Sequence, residues 1–317
     1  VPTTTSVEVV RGRRRVRPGV LLWCYLFMIP AAILAGMFTF YPMIMSWYIS
    51  FLDWSGIAVD STFVGWANYA ELLGDQLFWG AFGRSFVFMA VGTPIQVILA
   101  LLVAVALNNQ VRRLSTAFRT LFFLPTVTTV AIVGVVMSSV FSVYDGPVNE
   151  FLETIGVINV PVDFLGDPNK ALWTVIGVQV WKNVGITMIY WLASLQTVPQ
   201  EFYEAARVDG AGRWQQLTQL TVPLLLPFAV IIIVLTAHSN LHTFAIVQAM
   251  TEGGPYFSTQ VIEVFIYQTA FVNSTTGGVP RLGYASAAGC LFGVATLFIA
   301  LLQAWAARAV ARARSQF

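Results

Sequence analysis

Long apolar runs separated by short polar segments organise the whole sequence. The first run, 19–49, is interrupted by Pro30 and Pro42 and is too long for the hydrophobic part of a cleaved signal peptide. It reads as a first membrane-spanning helix, tilted or kinked at the prolines. Further spans are expected at about 85–107, 120–141, 171–195, 224–250 and 284–307, each close to the roughly 20 residues that a helix needs to cross hydrocarbon. Ahead of the second span, Phe63, Trp66 and Tyr69 with the stretch 72–79 are aromatic and amphipathic, which suits a membrane interface. Residues 108–119 form a short basic loop, and 142–170 is acidic and turn-rich, with Asp145-Gly146-Pro147 and Gly166-Asp167-Pro168 as breakers. No internal repeat is visible.

Composition points the same way: 57% of the 317 residues are hydrophobic and 10% charged, the balance of an integral membrane protein. Backbone polar groups in lipid must be paired within each segment, so an all-α protein with six transmembrane helices is expected. Cys24 and Cys290 both sit in apolar runs and imply neither a disulfide framework nor metal-ligand spacing. The net charge of +2 carries little information, but its distribution sets an orientation. Five arginines (Arg11, Arg13, Arg14, Arg15, Arg17) precede the first span, three (Arg112, Arg113, Arg119) lie in the 108–119 loop, two (Arg207, Arg213) follow the fourth span, and three (Arg308, Arg312, Arg314) end the chain. All fall on one side of a six-span arrangement, and that side is expected to be cytoplasmic. The opposite loops hold eleven of the fifteen acidic residues. The expected organisation is therefore a basic cytoplasmic tail at 1–18, a six-span domain at 19–307 and a cytoplasmic tail at 308–317.

The polar segment 197–222 is the most distinctive stretch. Thr197, Pro199 and Gln200 make a helix start of the capping-box kind, helix formers continue to Val208, and Asp209-Gly210 supplies a left-handed turn. A second short helix is expected over 211–220, giving a helix-turn-helix bracket that lies against the membrane. Glu204-Ala205-Ala206, Asp209-Gly210-Ala211, Pro223 and Pro227 resemble the EAA loop of sugar-type permease subunits, those of maltose and glycerol-3-phosphate systems, in bacterial binding-protein-dependent ABC importers. The likeness runs from about Trp23 to Trp305 and implies the type I ABC importer permease fold in the bacterial inner membrane. It implies that Glu204, Ala205, Ala206, Asp209, Gly210 and Ala211 form the coupling surface for an ATPase. Thr251-Glu252-Gly253-Gly254-Pro255 with Thr259 resembles the first of two permeases. The implied partners are thus a second permease, two ATP-binding-cassette ATPase subunits, an extracytoplasmic substrate-binding protein and membrane lipid, with no nucleic acid. No Walker A sequence is present, so no cofactor is expected in this chain and ATP with Mg would be bound by the ATPase subunits.

No catalytic constellation is visible, and the chain is expected to be a non-catalytic subunit. His238 and His242 lie one helical turn apart, but no Cys, Asp or Glu joins them at ligand spacing, so pore lining or packing is expected rather than metal binding. Polar residues inside spans face a cavity or a partner helix. Gln179, Lys182 and Asn183 share one face of the fourth span, and Thr236, Ser239, Asn240 and Thr243, at i, i+3, i+4 and i+7, share one face of the fifth. Permeases of this kind place substrate contacts at matching distances from the EAA loop, while interhelical hydrogen bonding is the other use of such groups. Ile186 and Ser239 stand where a sugar-stacking ring is usual in the family; Tyr190 or Phe244 could take that role, or the substrate differs from maltodextrin. The expected cargo is a small-molecule sugar, with glycerol-3-phosphate or a glycerophosphodiester as the alternative. A self-sufficient secondary transporter or channel is the reading from another class, disfavoured by the lack of acidic residues inside the spans and of inverted repeats.

Overall fold

The computed structural model describes residues 18–57, 60–108, 112–272 and 278–314. The arginine cluster before Pro18 lies outside the described residues, as do 109–111 of the basic loop and 315–317 of the tail. The chain divides into two units, Val1–Tyr48 and Ile49–Phe317.

In the first unit, α1 (Pro18–Ala35) passes through a π-helical turn, Gly36–Phe40, into α2 (Tyr41–Ile49). The turn has a local cause. Pro42 cannot donate to, and its ring crowds, the carbonyl four residues back at Phe38, and widening the helix there relieves the clash. The same device recurs in the second unit, where the π-helical turn Gln216–Thr221 precedes Pro223.

The second unit opens with the two-residue strands β1 (Leu52–Asp53) and β2 (Thr62–Phe63), paired antiparallel. Then come α3 (Ala67–Gly74), α4 (Gln76–Asn108), α5 (Arg112–Val127), α6 (Val130–Val140), α7 (Pro147–Thr154), α8 (Ala171–Leu195), α9 (Gln200–Val208), α10 (Arg213–Gln215), α11 (Val222–Leu241), α12 (Phe244–Met250), α13 (Ile262–Phe271) and α14 (Leu282–Arg314). At its centre lies α8, which packs along α4 and against α5 and α11. Its 25 residues reach about 37 Å at 1.5 Å per residue, enough to cross a bilayer. Neighbouring helices cover its polar groups Gln179, Lys182, Thr187 and Ser194, which are buried.

Among the described residues, four helical stretches are long and apolar enough to cross a membrane: Trp23–Ile49, Gln76–Asn108, Arg213–Leu241 and Leu282–Ala306. Two expected spans are not straight. The third is bent by 99° between Thr116–Val127 and Val130–Val140. The fifth stops at Leu241 and restarts at Phe244. Residues 211–220 form no separate helix either, since the chain is helical without a break from Arg213 to Leu241. The last helix runs on to Arg314, into the stretch read as a tail.

Outside the spans, the amphipathic stretch 72–79 divides at Asp75, whose Oδ1 accepts from the N–H groups of Leu77 and Phe78 at 2.8 and 3.3 Å and so caps α4. Arg281 donates to both oxygens of Glu71 at 2.6 Å, and the Tyr284 hydroxyl donates to Asp75 Oδ2 at 2.7 Å. These contacts tie the start of α14 to α3. The Arg281 hydrogen bond holds the Glu71 carboxyl below its ordinary range, so the pair persists to lower pH than a free carboxylate and is lost only as pH falls through that depressed value.

Candidate functional site

The 197–222 segment is built from local rules with one substitution. Thr197 donates its hydroxyl to the Ser194 carbonyl at 2.7 Å rather than capping α9, and Pro199, the N-cap residue, offers no side-chain acceptor; the expected capping box is therefore absent. The other end of α9 matches the expectation. Gly210 has φ +79°, its N–H donates to the Arg207 carbonyl at 3.1 Å, and the Ala211 N–H donates to the Ala206 carbonyl at 2.9 Å. That pair of bonds is the Schellman motif, which closes a helix through a left-handed residue. Beyond it, the Gly212 N–H donates to Gln215 Oε1 and the Gln216 amide donates to the Ala211 carbonyl, both at 2.8 Å, which starts the next helix. Tyr203 and Thr221 hydroxyls, 3.2 Å apart, tie α9 to the foot of the following span.

The result is a bracket enclosing a pocket of about 390 Å³ lined by Ala206, Asp209, Gly210, Ala211, Gln216 and Leu220 among others. Glu204, Ala205, Asp209 and Gly210 are exposed, and Ala206 and Ala211 are half-buried. Val208 is 88% and Trp214 70% exposed.

The polar residues of the spans are distributed less simply than their spacing suggests. Asn240 is fully buried, and its amide donates to Gln96 Oε1 at 3.0 Å and Thr93 Oγ1 at 3.3 Å. Gln96 in turn donates to the Thr187 hydroxyl at 2.8 Å and the Asn183 carbonyl at 3.1 Å. One glutamine thereby joins α4, α8 and α11. Sequence reasoning passed over it, although a lone amide in the long apolar run of α4 is itself a signal. Lys182 is buried, with Nζ 3.3 Å from the Thr126 carbonyl, while Thr126 donates its hydroxyl to the Lys182 carbonyl at 2.9 Å. The ammonium thus sits on the last turn of α5, where carbonyls lack helical partners.

Gln179 is buried, and its backbone carbonyl accepts from the half-buried Asn183 side chain at 3.0 Å. Ser239 is exposed, whereas Thr236 is buried. Thr243 does not share a helical face with these residues, because α11 ends at Leu241 and Thr243 is the N-cap of α12. The hydroxyls of Thr236 and Thr243 and Oδ1 of Asn240 are buried without a hydrogen-bond partner among the described residues.

The histidine rings lie 4.5 Å apart, and an acid does join them, from 21 residues downstream: His242 Nδ1 is 2.7 Å from Glu263 Oε1. Among the described residues no group of three or more His, Cys, Asp or Glu could hold a metal ion.

A sequence profile of the family described as binding-protein-dependent transport system inner membrane component matches residues 77–312. The lactose transport system permease protein LacF of Rhizobium radiobacter is 34% identical over 286 residues, covering 90% of this chain and 93% of that protein. The probable ABC transporter permease protein YurN of Bacillus subtilis is 32% identical over 280 residues, covering 88% and 94%. A chain in the crystal structure of a bacterial alginate ABC transporter, in complex with an alginate pentasaccharide-bound periplasmic protein, has the same fold. It matches with a TM-score of 0.78 at 24% identity over 92% of this chain and 96% of that one. The profile match and the relatives agree, and the chain belongs to the binding-protein-dependent transport system inner membrane components, as a multi-pass permease of an ABC importer.

Proposed function

We propose that the chain is the permease subunit that carries a neutral sugar or polyol, and that its 197–222 bracket is the docking surface for an ATPase subunit. The observation that carries the substrate reading is the chemistry of the polar groups on α4, α8 and the broken fifth span. Gln96, Gln179, Asn183, Thr236, Ser239, Asn240 and Thr243 are uncharged amides and hydroxyls that both donate and accept, as sugar hydroxyls do. Lys182, the cation of that set, is engaged at the end of α5 and is not free to meet a phosphate, which calls for several cations or helix N-termini. The lactose transport role of one relative supports the same substrate class. In this reading a second permease completes the path, two ATPase subunits bind ATP and Mg, and an extracytoplasmic binding protein delivers the cargo. ATP-driven closure of the ATPases moves the bracket as a lever, and this chain performs no catalysis. Domain limits of 1–18, 19–307 and 308–317, with both tails cytoplasmic, follow from the same arrangement.

Uptake of a labelled neutral sugar by cells carrying the intact transporter should be inhibited by unlabelled sugars or polyols and not by glycerophosphate compounds, and should weaken in Asn183→Ala. Inhibition by the phosphorylated set alone would sink the neutral-sugar reading. Orientation is tested with single cysteines in a background lacking Cys24 and Cys290. Tyr144 is 92% and Trp214 70% exposed, so Tyr144→Cys should react with an impermeant reagent outside intact cells and Trp214→Cys only after lysis. Labelling of Trp214→Cys from outside removes the proposed orientation.

A further inference from the structure

We propose that Glu263 is a positioning residue of the translocation path, its carboxylate clasping the break between α11 and α12. The proposal rests on reading α8 and α11 as that path. Where a helix stops and restarts, its last carbonyls and first N–H groups lose their partners. Here the chain leaves helical geometry at His242 (φ −103°, ψ 84°) and Thr243 (φ −120°, ψ 16°) and restarts at Phe244. Thr243 occupies the N-cap but makes no side-chain cap, and its hydroxyl is buried without a partner among the described residues. The cap comes instead from a different helix. Glu263 Oε2 accepts the Phe244 N–H at 2.8 Å, and Oε1 lies 2.7 Å from His242 Nδ1. One carboxylate therefore holds both sides of the break, and a charged acceptor at a helix N-terminus is among the stronger hydrogen bonds available.

The post that carries the clasp is itself fixed. Glu263 stands in the first turn of α13, whose Ile262 N–H donates to Ser85 Oγ at 3.0 Å, while Arg84 Nε donates to the Gln260 carbonyl at 2.8 Å. Both anchors belong to α4, so α4 sets the place from which Glu263 reaches the break. Thr236, Ser239 and Asn240 belong to α11, which ends at the break, and Thr243 lies within it; the hydroxyls of Thr236 and Thr243 and Oδ1 of Asn240 have no hydrogen-bond partner among the described residues. Broken helices form the substrate sites of other transporters because their interruption frees polar groups within the membrane. Such groups recognise a substrate only if their relative positions are held, and Glu263 holds them.

The test uses the complete transporter, with spin labels on Leu226→Cys and Ala245→Cys, exposed positions on either side of the break. A narrow distance distribution is expected in the parent and in Glu263→Gln, whose amide oxygen still accepts the Phe244 N–H, and a broad one in Glu263→Ala. Uptake of the neutral sugar should show KM raised roughly tenfold in Glu263→Ala, the worth of a hydrogen bond to a charged group, with the maximal rate within about twofold and Glu263→Gln restoring KM. Should Glu263→Ala fail to accumulate, His242→Phe keeps the ring volume, removes one arm, and should broaden the distribution in part. A distribution as narrow as the parent's in Glu263→Ala, or in His242→Phe where that variant replaces it, overturns the clasp, as does an unchanged KM. If the parent transports no neutral sugar, the substrate reading fails alone and the distance measurement still decides the clasp.

Discussion

Gly210→Val abolishes uptake while the chain still reaches the membrane: this is the largest functional effect expected of a single substitution here. The reason is backbone conformation rather than space. A side chain at Gly210 would meet nothing within 4 Å, but the residue has φ +79°. The left-handed region costs an L-residue about 1–2 kcal/mol, and more for a β-branched one. Avoiding it means giving up the two Schellman bonds that end α9 and set the angle of the bracket. A graded series separates this cause from steric blockage. Gly210→Asn, whose residue type tolerates left-handed geometry, should retain most uptake, Gly210→Ala less, and Gly210→Val none. Glu204→Lys should have the same outcome by another route, because Glu204 is exposed and its reversal leaves the fold intact while removing a charge that an ATPase subunit would meet. Uptake and copurification with the ATPase read both variants. Parental uptake in Gly210→Val and Glu204→Lys would remove the coupling assignment.

Gly185→Val should have the largest effect on stability. The crossing of α5 and α8 is so close at Gly185 that an added Cβ would overlap the Phe122 carbonyl and come within 2.9 Å of the Phe123 Cα. Those neighbours are backbone, which cannot rotate aside as a side chain does. Overpacking of this kind costs about 1–3 kcal/mol or more, and separating the helices would also disturb the Lys182–Thr126 pair one turn away. Gly177→Ala, on the same helix with nothing within 4 Å of a new Cβ, is the control and should be neutral. The amount of chain in the membrane and its thermal aggregation temperature provide the readout. A Gly185→Val chain that accumulates and melts like the parent would show that α5 can move away freely.

Features that depend only on neighbours along the chain are legible in the residues alone. Apolar length set the spans, since lipid forces each segment to pair its own backbone, and 171–195 matches α8 residue for residue. The left-handed end of α9 was legible because Asp209-Gly210 is a local signal that needs no distant partner. Pro147 is legible as a breaker, but α7, which begins there, and α13 are not, because short helices outside the spans leave weak periodicity. Tertiary structure decided where the spans bend and what the polar groups do. The third span bends where Lys182, from α8, takes a carbonyl at the end of α5. The fifth breaks where Glu263 takes the N–H of Phe244. Asn240 packs against Gln96 although the two lie 144 positions apart in sequence. Spacing places residues on a face of an ideal helix, and only the fold supplies the partner that ends that helix, because an orphaned carbonyl or N–H is tolerated in a dry interior only when a group from elsewhere in the chain arrives to meet it.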